Sequence, residues 1–186
     1  MKKEKFWNWL AKNYDDEVGE QTVELTKKYL GKSDTVLDYG CARGAYTIAL
    51  AGDVNEIRGI DISPKMIEIA ESNSNDISFE KATIFDINEK YDVVLAFNLL
   101  HLLEDTERII QKIDEILKPG GRFISVTTCM KEKLLLRIAG FFINIFGVLY
   151  VRMFKISELK KMISIRFNIV ETEKFSPHHI LIVAKK

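Results

Sequence analysis

Short apolar runs alternate with stretches of helical periodicity along most of this chain, and that alternation limits its fold more than any other feature. "DTVLDYG", "EIRGID", "ISFEKA", "YDVVLAFN" and "RFISVTTC" each read as a short buried strand. Between them lie helical patterns: "AYTIALAG", which stops at Gly52, "SPKMIEIAESN", with Ser63 as N-cap and Pro64 in the first turn, and "EDTERIIQKIDEILKPGG", closed by Pro119, Gly120 and Gly121. Strands alternating with helices imply right-handed crossovers and a mostly parallel sheet with helices on both faces. "KISELKKMISIRF" adds another helix. "NIVETEKF" and "HILIVAKK" follow, joined around residues 176–178 closely enough for a hairpin, which makes the last strand antiparallel. Upstream, residues 4–14 and about 17–30 carry helical spacing, the first with Phe6, Trp7, Leu10 and Tyr14 on one side.

With 186 residues and 47% apolar composition, one domain over residues 1–186 is expected, residues 1–30 forming N-terminal helices. Equal numbers of basic and acidic side chains, 27 of each, provide no global field for nucleic acid. The balance conceals an asymmetry: residues 1–93 carry 12 basic and 18 acidic groups, residues 94–186 carry 15 and 9. Cys41 and Cys129 are too few for a disulfide framework and lack metal-ligand spacing, so both read as reduced thiols. The N-terminus is mixed in charge, without the apolar core of a signal peptide, and a cytoplasmic location is expected.

In an open sheet of this kind ligands sit beyond the carboxyl ends of the strands. That draws attention to residues 38–44, 61–62, 82–83, 97–101 and 127–129. In "LDYGCARGAY" Gly40 and Gly44 flank a strand–helix turn that a ligand could approach closely; a tight turn with nothing bound is the plainer reading. Asp61, seventeen residues after Gly44, ends the second strand, where an acid can accept both hydroxyls of a ribose. It also reads as a solvated strand-end acid or a cap for the Pro64 helix. A dinucleotide is disfavoured because G-x-G-x-x-G is missing and Asp38, just before the first glycine, is a poor neighbour for phosphates. An ammonium group and a positive sulfonium suit that carboxylate better.

Five blocks, "VLDYGCARG", "GIDIS", "ATIFD", "YDVVLAFNLLH" and "LKPGGRFISVT", together resemble a class I S-adenosylmethionine-dependent methyltransferase of the small-molecule type. The resemblance implies a Rossmann-like sheet of seven strands in the order 3-2-1-4-5-7-6. It implies that Asp38, Gly40, Cys41, Ala42 and Gly44 surround the methionine part of S-adenosyl-L-methionine and that Asp61 holds the ribose. Ile62 and Met66 would pack on adenine, with Ala82 and Thr83 at its edge. Phe97 and Asn98 would face the methionine amino group, and Tyr14 would close over the site. Ala42 departs from the family, standing where glycine is usual, as does Thr83, or Ala82 beside it, where many members have Asp. Met66 reads equally as a core methionine and Thr83 as an ordinary strand-end residue.

Methyl transfer is an in-line displacement at an already activated carbon, so the protein mainly aligns the nucleophile and excludes water. No motif need announce a catalytic residue. The candidates are His101, Thr128 (with Thr127 beside it) and Tyr14; His101 also reads as a core histidine, and Cys129 as a buried thiol. Residues 134–151 are eighteen residues with a single charge, Arg137. Three readings are open: a cap over the substrate pocket, a surface touching anionic lipid, or a dimer face. The first predicts a lid insertion over residues 130–152, helical and broken near Gly140 or Gly147, forming an apolar acceptor pocket with basic residues at its rim. The expected partner is thus a small, apolar or amphiphilic acceptor, with no nucleic acid; membrane-surface contact is not favoured, and a monomer or a homodimer is expected. The alternative to turnover is a cofactor-binding protein acting as sensor or partner subunit.

Overall fold

In the computed structural model, residues 2–14, 19–132, 134–135, 138 and 150–186 are described. Helices α1 (Lys2–Leu10) and α2 (Glu20–Lys27) precede β1 (Thr35–Tyr39), α3 (Ala45–Ala51), β2 (Glu56–Asp61), α4 (Pro64–Asn73), β3 (Ser78–Lys81) and β4 (Tyr91–Phe97). α5 (Thr106–Ile116), β5 (Leu117–Thr128), α6 (Ile156–Ser164), β6 (Asn168–Lys174) and β7 (His179–Lys185) complete the order. The sheet runs β3-β2-β1-β4-β5-β7-β6, with β7 antiparallel to both neighbours and the remaining pairs parallel. This is the order and the antiparallel last strand that the resemblance implies. The reversal of direction falls between β1 and β4, both continuing at their carboxyl ends into loops, and it opens a crevice there.

Alternation along the strands sorts the core into two layers. Leu37, Tyr39, Val94, Phe123 and Ile182 face α5 and α6, meeting Ile109, Ile113, Leu159 and Ile163. Val36, Leu95, Ile124 and Val183 face the opposite way and pack with Val23 of α2 and Leu50 of α3. A smaller cluster of Cys41, Ile67, Ala70 and Phe79 seals α4 against β3.

Local signals explain most boundaries. Ser63 caps α4, its Oγ accepting from Met66 N at 3.1 Å, and Pro64 sits in the first turn. The expected first helix gives way after Leu10 to a 3-10 turn over Ala11–Asn13. The largest departure lies at residues 117–121. Pro119, Gly120 and Gly121 do not close α5, which ends at Ile116; they form the kinked start of β5. Gly120 takes φ +76°, and a Cβ on Gly121 would lie 2.9 Å from Lys118 O and 3.1 Å from Asp92 O. The chain thus presses against β4 there, and its register shifts between Tyr91 and Val93.

The helical lid expected over residues 130–152 falls largely outside the described residues. Its flanks are described. Met130–Glu132 form a 3-10 turn, and the backbone is helical at Leu134, Leu135 and Ile138, whose side chains are exposed. The returning segment is tied down: Arg152 N donates to His101 O (2.7 Å), Lys131 N donates to Phe154 O (3.0 Å), and Arg152 grips both Glu107 oxygens at 2.5 Å. Among the described residues no helix is long and apolar enough to cross a membrane.

Candidate active site

The turn after β1 is built from three left-handed residues: Gly40 (φ +78°), Ala42 (φ +48°) and Gly44 (φ +82°). Two of its amides, Gly40 N and Cys41 N, donate to Ile60 O, fastening the turn to β2. The protein's own side chains press on the two glycines. A Cβ on Gly40 would lie 2.8 Å from Leu99 Cδ1, and one on Gly44 would lie 2.7 Å from Phe79 Cζ. Close approach is therefore required here with no ligand invoked, although Gly40 also borders the cleft.

The cleft spans about 640 Å³ when the open solvent at its mouth is included. Tyr14, Gly40, Ala42, Asp61, Ile62, Met66, Phe97 and Asn98, all expected from the sequence, line it. Asp61 is its acidic wall. The carboxylate accepts from Ser63 N (2.8 Å) and Ala42 N (3.2 Å), so it braces the first helical turn of α4 and the β1 turn together. Ile62 and the buried Met66 supply apolar surface beside it. Phe97 ends β4 with its ring 4.9 Å from that of Tyr46; Asn98 follows in a left-handed conformation (φ +50°) and donates its N–H to Val126 O (2.8 Å).

α1 forms one edge. Asn8 Oδ1 accepts from Ser63 Oγ (2.6 Å) and Lys65 N (3.3 Å), fixing α1 across the start of α4. This brings Trp7 and Tyr14, in edge contact at 6.1 Å, to the cleft. Arg43 holds the end of the segment by donating Nη1 to Tyr14 O (2.9 Å).

Five expected residues lie outside the lining. Asp38 is buried and turns toward α3, accepting from Thr47 Oγ1 at 2.6 Å. Cys41 packs into the α4 cluster, and Gly44 sits beneath Phe79. Ala82 belongs to the core. Thr83 caps the short turn Ile84–Asp86; its N–H and hydroxyl both donate to Asp86 Oδ2 (2.8 and 2.7 Å), holding that carboxyl below its ordinary value.

Beyond β5 and β7 the chain's histidines gather. Thr128 pairs in register with His179, Cys129 N donates to His178 O (2.6 Å), and the two histidine rings stand 4.5 Å apart. Ser176 Oγ contacts His179 Nδ1 at 3.2 Å. His101 lies in the 3-10 turn Leu100–Leu102; burial, with His179 adding to it, lowers its pKa to about 4. His101 Nδ1, His178 Nδ1 and Thr127 Oγ1 are buried without a hydrogen-bond partner among the described residues. Cys129 is fully buried, and no group of three His, Cys, Asp or Glu side chains among the described residues is arranged to hold a metal ion.

Tyr39, Leu99, Leu102 and Leu103 line the cleft without having been singled out from sequence; Trp7 does too, noted there only as a helix-face aromatic. The leucine spacing i, i+3, i+4 in "LLHLL" was a readable signal, and strand alternation sends Tyr39 to the face opposite Asp38.

The family profile described as a methyltransferase domain matches residues 30–171. The chain is 36% identical over 120 residues to the ribosomal protein L11 methyltransferase of Dictyoglomus turgidum, covering 60% of this chain and 38% of that protein. It is 31% identical over 128 residues to the 27-O-demethylrifamycin SV methyltransferase of Amycolatopsis mediterranei, covering 59% and 47%. The match thus spans less than half of either relative. Among solved structures, the N-methyltransferase NodS of Bradyrhizobium japonicum in complex with S-adenosyl-L-homocysteine superposes with a TM-score of 0.69 at 20% identity, covering 89% of this chain and 84% of that one.

Proposed function

The chain belongs to the methyltransferase-domain family, and from that premise we propose that it transfers the methyl group of S-adenosyl-L-methionine to a small or amphiphilic acceptor, releasing S-adenosylhomocysteine. The observation that carries the reading is Asp61: a carboxylate held by two backbone N–H groups at the acidic wall of a cleft whose other walls are largely apolar. An anchored carboxylate beside apolar surface fits a ribose joined to adenine, and the cleft residues accommodate the cofactor on that basis.

The cofactor supplies an electrophilic methyl carbon already activated by its sulfonium. Around it the residues have distinct tasks. Asp61 accepts from ribose hydroxyls, and because its position is set beforehand little ordering is needed on binding. Ile62 and Met66 offer the adenine apolar faces. Trp7 and Tyr14, held by Asn8 and Arg43, shield the site from water. Leu99, Leu102 and Leu103, with Phe97, give the cleft an apolar wall toward β4, which favours an acceptor with an apolar body. His101 is a weak base at a pKa of about 4, so its part is that of a neutral hydrogen-bonding group rather than a proton store. Thr128 and His179 stand where the acceptor side would be. Buried reduced thiols at Cys41 and Cys129 accord with a cytoplasmic setting.

Calorimetric titration with S-adenosylhomocysteine and with NAD tests the cofactor. Saturable binding of the first alone is expected, and preference for NAD would overturn the reading. Incubation with methyl-labelled cofactor and a panel of protic, apolar-bodied acceptors tests turnover. Label confined to protein substrates would replace the small acceptor by a polypeptide.

A further inference from the structure

Tyr39, in the β1 turn motif, has a hydroxyl that is uncommitted among the described residues. Its side chain is only 6% exposed, embedded with Leu37, Ile60, Ala82 and Leu100, yet Tyr39 forms part of the cleft wall. The hydroxyl makes no hydrogen bond among the described residues, and its oxygen is not enclosed by protein. The surface it retains therefore opens on the cleft. A phenol buried this deeply ordinarily finds a partner, since an unmet hydroxyl in such a site is unfavourable.

Asp61 lies close enough for its charge to act on Tyr39. Burial first, and that carboxylate second, push the phenol's pKa far up, so Tyr39 remains protonated at any physiological pH and is a donor. Asp61, ionised, can only accept. One wall of the cleft thus presents a fixed acceptor beside a fixed donor. A hydroxyl on a ligand satisfies both at once: it donates its proton to the carboxylate and accepts from the phenol through its oxygen. A ligand ammonium or sulfonium could not accept from the phenol.

We propose that Tyr39 is a second ribose-reading residue, its hydroxyl donating to the oxygen of one of the two ribose hydroxyls held by Asp61. The assignment rests on the cofactor reading above and adds to it a selectivity for an intact ribose diol. It distinguishes this chain's loop from one with an aliphatic residue between the acid and the first glycine, where the carboxylate would read the diol alone.

The test is Tyr39→Phe, which removes one oxygen and preserves the packed ring. No protein hydrogen bond among the described residues is lost, so the melting temperature should hold or rise. Calorimetry is run on wild type and variant with S-adenosylhomocysteine and with its 2′-deoxy and 3′-deoxy analogues. The variant is expected to bind S-adenosylhomocysteine roughly 3- to 10-fold more weakly, the range for one neutral hydrogen bond. That penalty should vanish with one deoxy analogue and persist with the other, as a pairwise interaction requires. Equal affinity of wild type and variant for S-adenosylhomocysteine overturns the proposal, as does a penalty that persists with both analogues. If wild type binds none of the three ligands, the cofactor reading fails and the proposal with it, an outcome separate from a failure of Tyr39 alone.

Discussion

The two sides of the crevice are finished to different degrees. Beside β1, β2 and β3 most polar side chains are paired within the protein, the Tyr39 hydroxyl and Arg43 Nε apart: Asp61 with Ser63 N and Ala42 N, Asp38 with Thr47, Thr83 with Asp86. Beyond β4, β5 and β7, His101 Nδ1, His178 Nδ1 and Thr127 Oγ1 are buried without partners among the described residues. Each such group costs about 1–3 kcal/mol unless something meets it. The first side is a rigid holder, set by backbone and side-chain hydrogen bonds that exist before any ligand arrives. The second keeps uncommitted chemistry where the chain leaves β5 for residues 134–151, the most apolar stretch of its sequence. In the proposed function these correspond to a fixed cofactor and an acceptor that differs from one relative to the next.

The rigidity of the holder can be broken most severely at Gly44. A methyl group there meets Phe79 Cζ at 2.7 Å and Ala70 Cβ at 3.2 Å, on a backbone with φ +82°. The left-handed conformation costs a non-glycine residue roughly 1–2 kcal/mol, and overpacking adds about 1–3 kcal/mol. Gly44→Ala should lose about 2–5 kcal/mol in urea denaturation by these terms. Gly52→Ala is the control: nothing lies within 4 Å and φ is −68°, so the change should stay within about 0.5 kcal/mol. If the two variants are equally stable, Phe79 yields freely and the holder is not rigid.

On the other side the next largest effect is a pH dependence. His101 titrates near 4 in the folded protein, against about 6.5 when unfolded. Between those values the unfolded chain binds more protons, so stability must fall as pH drops from 6.5 toward 4 and is fully present above 6.5. A shift of that size corresponds to roughly 3 kcal/mol as an upper figure. His179, whose pKa burial also lowers with His178 adding to it, contributes in the same direction. Denaturation curves at pH 7, 6, 5 and 4 should show this slope in wild type and a shallower one in His101→Asn. An unchanged slope in the variant would place the titration elsewhere.

Asp61→Ala removes the acidic wall. Charge-assisted hydrogen bonds are worth roughly 1.5–3 kcal/mol each, so S-adenosylhomocysteine affinity should fall at least about tenfold. Because Asp61 also ties two backbone segments, a modest loss of melting temperature is expected with it. Unchanged affinity by calorimetry would leave Asp61 a purely structural brace, and the first side would lose its ligand.

This division was partly legible in the sequence, for physical reasons that differ by residue. Alternating apolar runs and crossover helices led to the sheet, because period and length are local properties. Asp61, Ile62 and Asn98 line the cleft as expected because a position at or just past a strand's carboxyl end is fixed once the strand is read; Met66, in the first turn of α4, came from the resemblance alone. Asp38 and Cys41 were placed at the ligand from the motif but turn into the protein, since side-chain direction depends on Thr47 and on the Phe79 cluster, both distant in sequence. Residues 117–121 misled because Pro-Gly-Gly after a helix ordinarily marks its end, while here contact with Asp92 O draws the same residues into β5. Tyr39 was passed over because an aromatic inside a buried strand looks like core, and most of its ring is.

The smallest effect bears on the turn itself. Ala42 stands at φ +48° between two glycines that also take positive φ, and its N–H donates to Asp61 Oδ2. Unlike Gly40 and Gly44, it has a methyl group that the fold has accommodated, on the border of the cleft. Two opposing terms decide the outcome of Ala42→Gly. Removing Cβ relieves a left-handed penalty of roughly 1–2 kcal/mol, and the greater freedom of glycine in the unfolded chain takes back about 0.4–1 kcal/mol. The balance is a gain of about 0.5 kcal/mol, read as a small rise in the denaturation midpoint. The N–H to Asp61 is retained, so S-adenosylhomocysteine affinity should stay the same or tighten slightly. A loss of stability would mean that the methyl packs favourably and the conformation is not strained. A severalfold loss of affinity with stability intact would make the methyl a ligand contact, and the turn would then hold its ligand through a side chain at its closest point.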